Sequence, residues 1–178
     1  QIVIKRIRPE FADNPRFISM FINEANISVH LNHPNVVQTY DLGRVGTSYY
    51  IAMEHLRGHD LNKVVKVLRK RPERLPQETA VYITAEILRG LHHAHNLSEE
   101  DGESFGLVHR DVSPHNIFLT TSGEVKLVDF GIARVMHTHS GEVESPASNR
   151  PGGGKYAYMS PEQAMGKVVD HRTDIFSA

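Results

Sequence analysis

Hydrophobic positions recur along this chain with two different periods, and each change of period marks a new element. "QIVIKRI" alternates as a strand does, with Val3, Lys5 and Ile7 on one face and Ile2, Ile4 and Arg6 on the other. Lys5 therefore stands in line with apolar neighbours. From about Pro15 to Leu31 the spacing becomes helical: Phe17, Met20, Phe21, Ile27, Ser28 and Leu31 share one side, and Ile18, Ile22, Ala25 and Val29 widen it. Glu24 falls in the middle of that stripe, where a carboxylate is costly unless a cation meets it. "NVVQTYDLG" and "SYYIAMEHL" read as two strands around a Gly43–Gly46 turn. Helices are expected from Asp60 to Arg71 and from Pro76, which suits a first turn, to about His95.

The second half is punctuated differently. "NLSEEDGESFG" is an acidic, Gly-containing loop, and residues 136–155 are rich in Ser, His, Gly and Pro, as a long exposed loop would be. Between them lies "LVHRDVSPHNIFL", which sets His109, Arg110, Asp111, His115 and Asn116 between two apolar segments. Packing alone does not explain that density of polar groups. "IFL" and "VKLV" flank "TTSGE" as the arms of a β-hairpin. A turn centred on Ser122–Gly123 sets Asn116 and Asp129 opposite one another at its open end, with Asp111 one short loop earlier. Two oxygen donors so placed suit a hard cation such as Mg²⁺.

Composition narrows the classes. The 178 residues are 39% hydrophobic and 23% charged, a globular composition, and their formal net charge of -1 gives no global basic field for nucleic acid or anionic lipid. The Lys63, Lys66, Lys70 and Arg74 side of the first of the two later helices therefore reads as a solvated face. Without Cys there are no disulfides or thiolate metal sites; a reducing compartment is compatible, and the cytoplasm is the expected location. No apolar run approaches the roughly 18 residues of a membrane span. His92, His93 and His95 are read as helix-end residues, and His137 and His139 as loop residues, because no H-E-x-x-H pattern accompanies them. "PGGGKY" is set aside as a phosphate loop because Asn149 and Tyr156 stand where that pattern needs Gly and Ser or Thr.

A strand Lys, a helix Glu, "HRDVSPHN", "DFG" at 129–131 and "SPE" at 160–162 follow one another in a fixed order. Together they resemble the protein kinase signature set, and "HRDVSPHN", "DFGIAR" and "YMSPEQ" are most similar to its bacterial Ser/Thr branch. The resemblance implies an α+β, two-lobed kinase fold, with a partial small lobe at 1–56 and a partial large lobe at 57–178. It implies transfer of the γ-phosphate of ATP to a protein Ser or Thr hydroxyl. Lys5 would hold the α- and β-phosphates and Glu24 would orient it. Asp111 would accept the substrate proton, and Asn116 and Asp129 would hold Mg²⁺. Gly131 would free the backbone beside the metal. Met53 would gate the adenine pocket, and the backbone of Glu54, His55 and Leu56 would meet the base. His109 would support the catalytic loop. Arg110 would meet a phosphate on one of Thr138, Ser140, Ser145 or Ser148. The Gly-rich loop of the family precedes the strand Lys and its last helices follow the "SPE" segment, so a chain truncated at both ends, and weakly active alone, is expected.

Two positions depart from the family pattern. Ser113 stands where most Ser/Thr kinases carry Lys, and Lys155 stands where they carry Thr. The paired change suggests an exchange, with Lys155 reaching the γ-phosphate and Ser113 supplying the hydroxyl; an exposed loop cation is the alternative for Lys155. Two rival functions stand beside the kinase. A pseudokinase scaffold is disfavoured because Lys5, Glu24, Asp111, Asn116 and Asp129 are all present. A small-molecule phosphotransferase is disfavoured by "SPE" and the long segment before it.

Overall fold

A computed structural model describes residues 1–72, 74–98, 102–130 and 156–178. In chain order the elements are β1 (Ile2–Arg6), α1 (Pro15–His30), β2 (Thr39–Val45), β3 (Ser48–Glu54), β4 (Gly58–Asp60), α2 (Leu61–Leu68), α3 (Gln77–His95), β5 (Ile117–Thr120), β6 (Val125–Leu127), α4 (Pro161–Ala164) and α5 (Arg172–Ser177). They build two antiparallel three-stranded sheets, ordered β1-β3-β2 and β4-β5-β6. The mixed α+β architecture agrees with the sequence reading.

The first sheet carries α1. Asn14 caps that helix through its side chain, which accepts from the Arg16 backbone N–H, and Pro15 fills its first turn. Phe21 and Ala25 are buried against Ile51 of β3, with Ile7, Leu42, Tyr49 and Met53 packed around them. The expected helical stripe is therefore displaced: Phe17 is exposed and stacks on Phe11 at 4.5 Å between ring centroids instead of entering the core.

The larger core lies under α3, whose Ile83, Ile87, Leu91 and Ala94 meet Val125 and Leu127 of the hairpin. Leu31, at the end of α1, also belongs to it, so one helix touches both cores. Gly90 lets α3 approach closely, since a Cβ there would stand 3.0 Å from the Asn35 carbonyl oxygen.

Three local expectations are corrected. Residues 35–38 are not part of β2. The Val37 N–H donates to the Leu127 carbonyl (2.9 Å) and the Leu127 N–H to the Asn35 carbonyl (2.8 Å), so the hairpin captures this segment and the strand starts at Thr39. Gly43 is not in the turn. It pairs with Tyr50 inside the sheet, where the Tyr50 ring takes the space a Cβ would fill, and Gly46, at φ +59°, makes the reversal. At the open end of the β5–β6 hairpin Asn116 faces Val128, whose N–H donates to its carbonyl (3.0 Å); Asp129 is the next residue beyond.

Candidate active site

Strand β1 presents Lys5 to α1, at Glu24, which lies between the buried Phe21 and Ala25. Its Nζ lies 2.7 Å from Glu24 Oε1 and 2.8 Å from Asp129 Oδ1. The cation that Glu24 needs on its apolar stripe is thus supplied from β1, and Asp129 joins from just beyond β6. Burial disfavours the charged amine, yet Glu24 and Asp129 outweigh it and hold the Lys5 pKa above its ordinary value. Burial likewise raises the Glu24 carboxyl above the usual range, with Lys5 pulling the other way. Met53 lines the recess behind this trio, together with Leu31, Val36, Thr39 and Phe130.

The His109–Asp111 stretch is held from below. Buried Asp174, on α5, accepts from the His109 and Arg110 backbone N–H groups (2.8 Å each), and its Oδ2 lies 2.8 Å from His95 Nε2 at the end of α3. This brace fixes Arg110 at φ +62°, a left-handed conformation that non-glycine residues rarely hold without outside support. His109 is fully buried against the Phe130 ring (4.5 Å between centroids), and its Nδ1 accepts from the Asp111 N–H (3.3 Å). Burial keeps its pKa below the ordinary imidazole value, against the pull of Asp174 and Asp111.

Asp111 and Asn116 meet directly. Asn116 Nδ2 donates to the Asp111 carbonyl and to Asp111 Oδ2, both at 2.9 Å. The hairpin then delivers Asp129 at φ +55°, which turns its carboxylate towards Lys5 while Phe130 anchors the next residue in the core. Two linked groups result: Asp111 with Asn116, and Asp129 with Lys5 and Glu24. Asn116 Oδ1 and Asp129 Oδ2 take no hydrogen bond among the described residues. A carboxylate and an amide oxygen left free in this way fit a Mg²⁺ ion, which prefers hard oxygen ligands.

Other expected residues are placed less directly. The Glu54 carboxylate turns to Lys126 Nζ (2.9 Å), which ties the end of β3 to the hairpin; Leu56 lies in the segment that follows. Ser113 is 1% exposed, with no hydrogen bond to its Oγ among the described residues. Lys155, Gly131 and the four hydroxyls Thr138, Ser140, Ser145 and Ser148 lie outside the described residues.

Sequence reasoning missed three contributors. Asp174 and His95 stand 79 positions apart, and no local pattern joins them. Gln163 shares a capping box with Ser160 and donates from Nε2 to the Arg110 carbonyl (2.9 Å), tying the "SPE" segment to the His109–Asp111 stretch. Only a Ser followed three residues later by Gln advertised that cap.

The family model described as "Protein kinase domain" matches residues 1–178. The tyrosine-protein kinase MasK of Myxococcus xanthus is 42% identical over 180 residues, covering 99% of this chain and 26% of the relative. The serine/threonine-protein kinase PrkC of Bacillus subtilis is 34% identical over 181 residues, covering 99% of this chain and 25% of the relative. A crystal structure of the Mycobacterium tuberculosis PknI kinase domain superposes with a TM-score of 0.68 at 27% identity, over 97% of this chain and 58% of that one. The chain thus spans about a quarter of the length of the curated relatives it matches.

Proposed function

This chain belongs to the protein kinase domain family, and on that premise we propose that the protein is an ATP-dependent protein serine/threonine kinase with its reaction centre at Asp111. The observation that carries the reading is the Lys5 amine held between Glu24 of α1 and Asp129 just beyond β6 (2.7 and 2.8 Å). Such an amine is fixed in place and kept charged, as a phosphate-binding cation must be. The lobes meet between 56 and 57 in this reading, and the cytoplasm, which supplies ATP, is the proposed location.

Each residue has one task. Lys5 binds the α- and β-phosphates, and Glu24 keeps its amine pointed at them. Met53 and the Glu54–Leu56 backbone receive the adenine. Asn116 and Asp129 hold Mg²⁺, which, when bound, offsets the negative charge gathering on the phosphates. The substrate hydroxyl oxygen forms a bond to the γ-phosphorus as the bond from that phosphorus to the ADP oxygen breaks, and ADP leaves with its electron pair. Asp111 Oδ2, oriented by Asn116, takes the hydroxyl proton. Positioning and fixed charge supply most of the acceleration. Lys155 is proposed to bring its ammonium to the γ-phosphate, with Ser113 supplying the hydroxyl that the family's Thr would otherwise bring.

A tyrosine acceptor is the second reading, favoured by the name of the 42% identical relative. The two separate on acid hydrolysis of the products formed by the full-length protein with labelled ATP and Mg²⁺. Phosphoserine and phosphothreonine support the first reading; phosphotyrosine alone replaces it with the second. No phosphate on any acceptor refutes both.

A further inference from the structure

Positive charge is concentrated in one short stretch of this chain. Between Arg57 and Arg74 there are seven Lys and Arg against two acidic residues, in a sequence whose formal net charge is -1. Most of that charge lies on α2 and the turn that follows it. Leu61 packs on the large core while Lys63, Lys66 and Lys70 recur at helical spacing on an exposed side.

The sequence placed the start of this helix at Asp60, its cap, but did not reveal what that start is tied to. The Asn62 N–H donates to the Pro114 carbonyl at 2.9 Å, three residues beyond Asp111, and β4 just before it pairs Asp60 with Phe118 of β5. The basic helix thus starts from the catalytic loop itself. Asp60 caps it and pairs with Lys63 (3.0 Å), so the nearby acid is already engaged. Lys66, Arg69, Lys70 and Arg74 are exposed, and their side chains have no ion-pair or hydrogen-bond partner among the described residues. Val67, half exposed, sits among them. At a rise of about 1.5 Å per residue, Lys66 stands roughly 6 Å and Arg69 roughly 10 Å along the axis from Asn62. An extended peptide advances about 3.3 Å per residue. Side chains two to five residues from an acceptor over Asp111 therefore come within reach of these cations.

We propose that α2 is a docking surface that reads acidic residues flanking the acceptor hydroxyl of the protein substrate. The inference rests on the kinase reading for its substrate, while the surface itself is tested separately. In full-length protein, binding of a fluorescent peptide with Ala at the acceptor position and Asp or Glu on both flanks is measured by anisotropy. Phosphate transfer to matched Ser peptides with acidic, neutral and basic flanks is measured alongside. Wild type should bind the acidic peptide at least about tenfold more tightly than the neutral one, with the gap closing as salt is raised. The triple variant K66E/R69E/K70E should lose that gap through KM, with unchanged KM for ATP and unchanged transfer to the neutral peptide. Equal binding of acidic and neutral peptides by wild type overturns the proposal. So does a preference that survives the triple variant, or a variant that loses only binding to vesicles containing phosphatidylserine, which would assign the patch to a membrane surface. Acidic-peptide binding without transfer to any peptide would instead leave the surface standing and refute the kinase reading.

Discussion

Lys5 and Glu24 show how a misplaced charge becomes informative. The carboxylate sits on an apolar helix side and its partner amine sits in an apolar strand, so each is costly alone and tolerable together. Replacing Lys5 with Met should leave Glu24 uncompensated and remove the proposed phosphate-binding cation. Its kcat should fall by about 100- to 1,000-fold, measured by steady-state transfer at saturating ATP, while circular dichroism stays native. Retained turnover would remove Lys5 from the site. Ser113 and Lys155 are checked by Lys155→Met and by the double exchange Ser113→Lys with Lys155→Thr. The single variant should lose kcat and the double should recover part of it; full kcat in Lys155→Met ends the exchange idea. His109 predicts a pH dependence. Its folded pKa is lowered by burial, so the unfolded chain binds the proton first, and stability present above about pH 6.5 is lost as the pH falls below that value. Thermal unfolding of His109→Phe, which keeps the ring contact with Phe130, should fall less steeply between pH 6.5 and 5 than wild type. Some slope should persist, because the His33 pKa is also held low by burial.

Among the elements, the strands and long helices were legible where one face meets a core, and their edges were not. The period of two in "QIVIKRI" and the helical spacing after Pro76 correspond to β1 and α3, because a sheet face and a helix stripe each dictate their own repeat. The start of β2 was misread because Val36 and Val37 are as apolar as a strand would be, and only the distant hairpin decides their partner. The turn was misread because Gly43 is required by the Tyr50 ring across the sheet, which no neighbour in sequence announces. Gly58 makes a sharper case: at φ +153°, a Cβ there would stand 2.0 Å from the Leu119 carbonyl oxygen. Gly58→Ala should pry β4 from β5 and cost about 2 kcal/mol or more in urea unfolding. An unchanged midpoint would contradict that packing. Asp174, also invisible in sequence, closes the link between α3, α5 and the catalytic loop. Asp174→Ala should cost about 3–5 kcal/mol by stranding buried N–H groups, and Asp174→Asn, which keeps one acceptor, clearly less. Equal losses from both would argue against the brace.

Across the whole molecule, two cores are joined by few but specific ties: Leu31 at the end of α1, the Asn35–Val37 segment on the hairpin, the Glu54–Lys126 ion pair (2.9 Å), and Lys5 with Asp129. The residues proposed to bind and transfer phosphate gather on both sides of that junction. The order of the motifs gave their identity away, since Lys5, Glu24, Asp111, Asn116 and Asp129 all reappear in two hydrogen-bonded groups. What stayed hidden is the scaffold beneath them, because His95, Asp174 and Gln163 act through backbone groups far away in sequence. The decisive experiment is a single-turnover transfer assay on the full-length protein with saturating ATP and Mg²⁺, comparing wild type with Asp111→Asn while ATP affinity is followed in parallel. A proton acceptor at residue 111 requires the transfer rate to drop by about 100-fold or more with ATP binding unaltered. A variant that transfers phosphate as fast as wild type would show that the chemistry happens elsewhere.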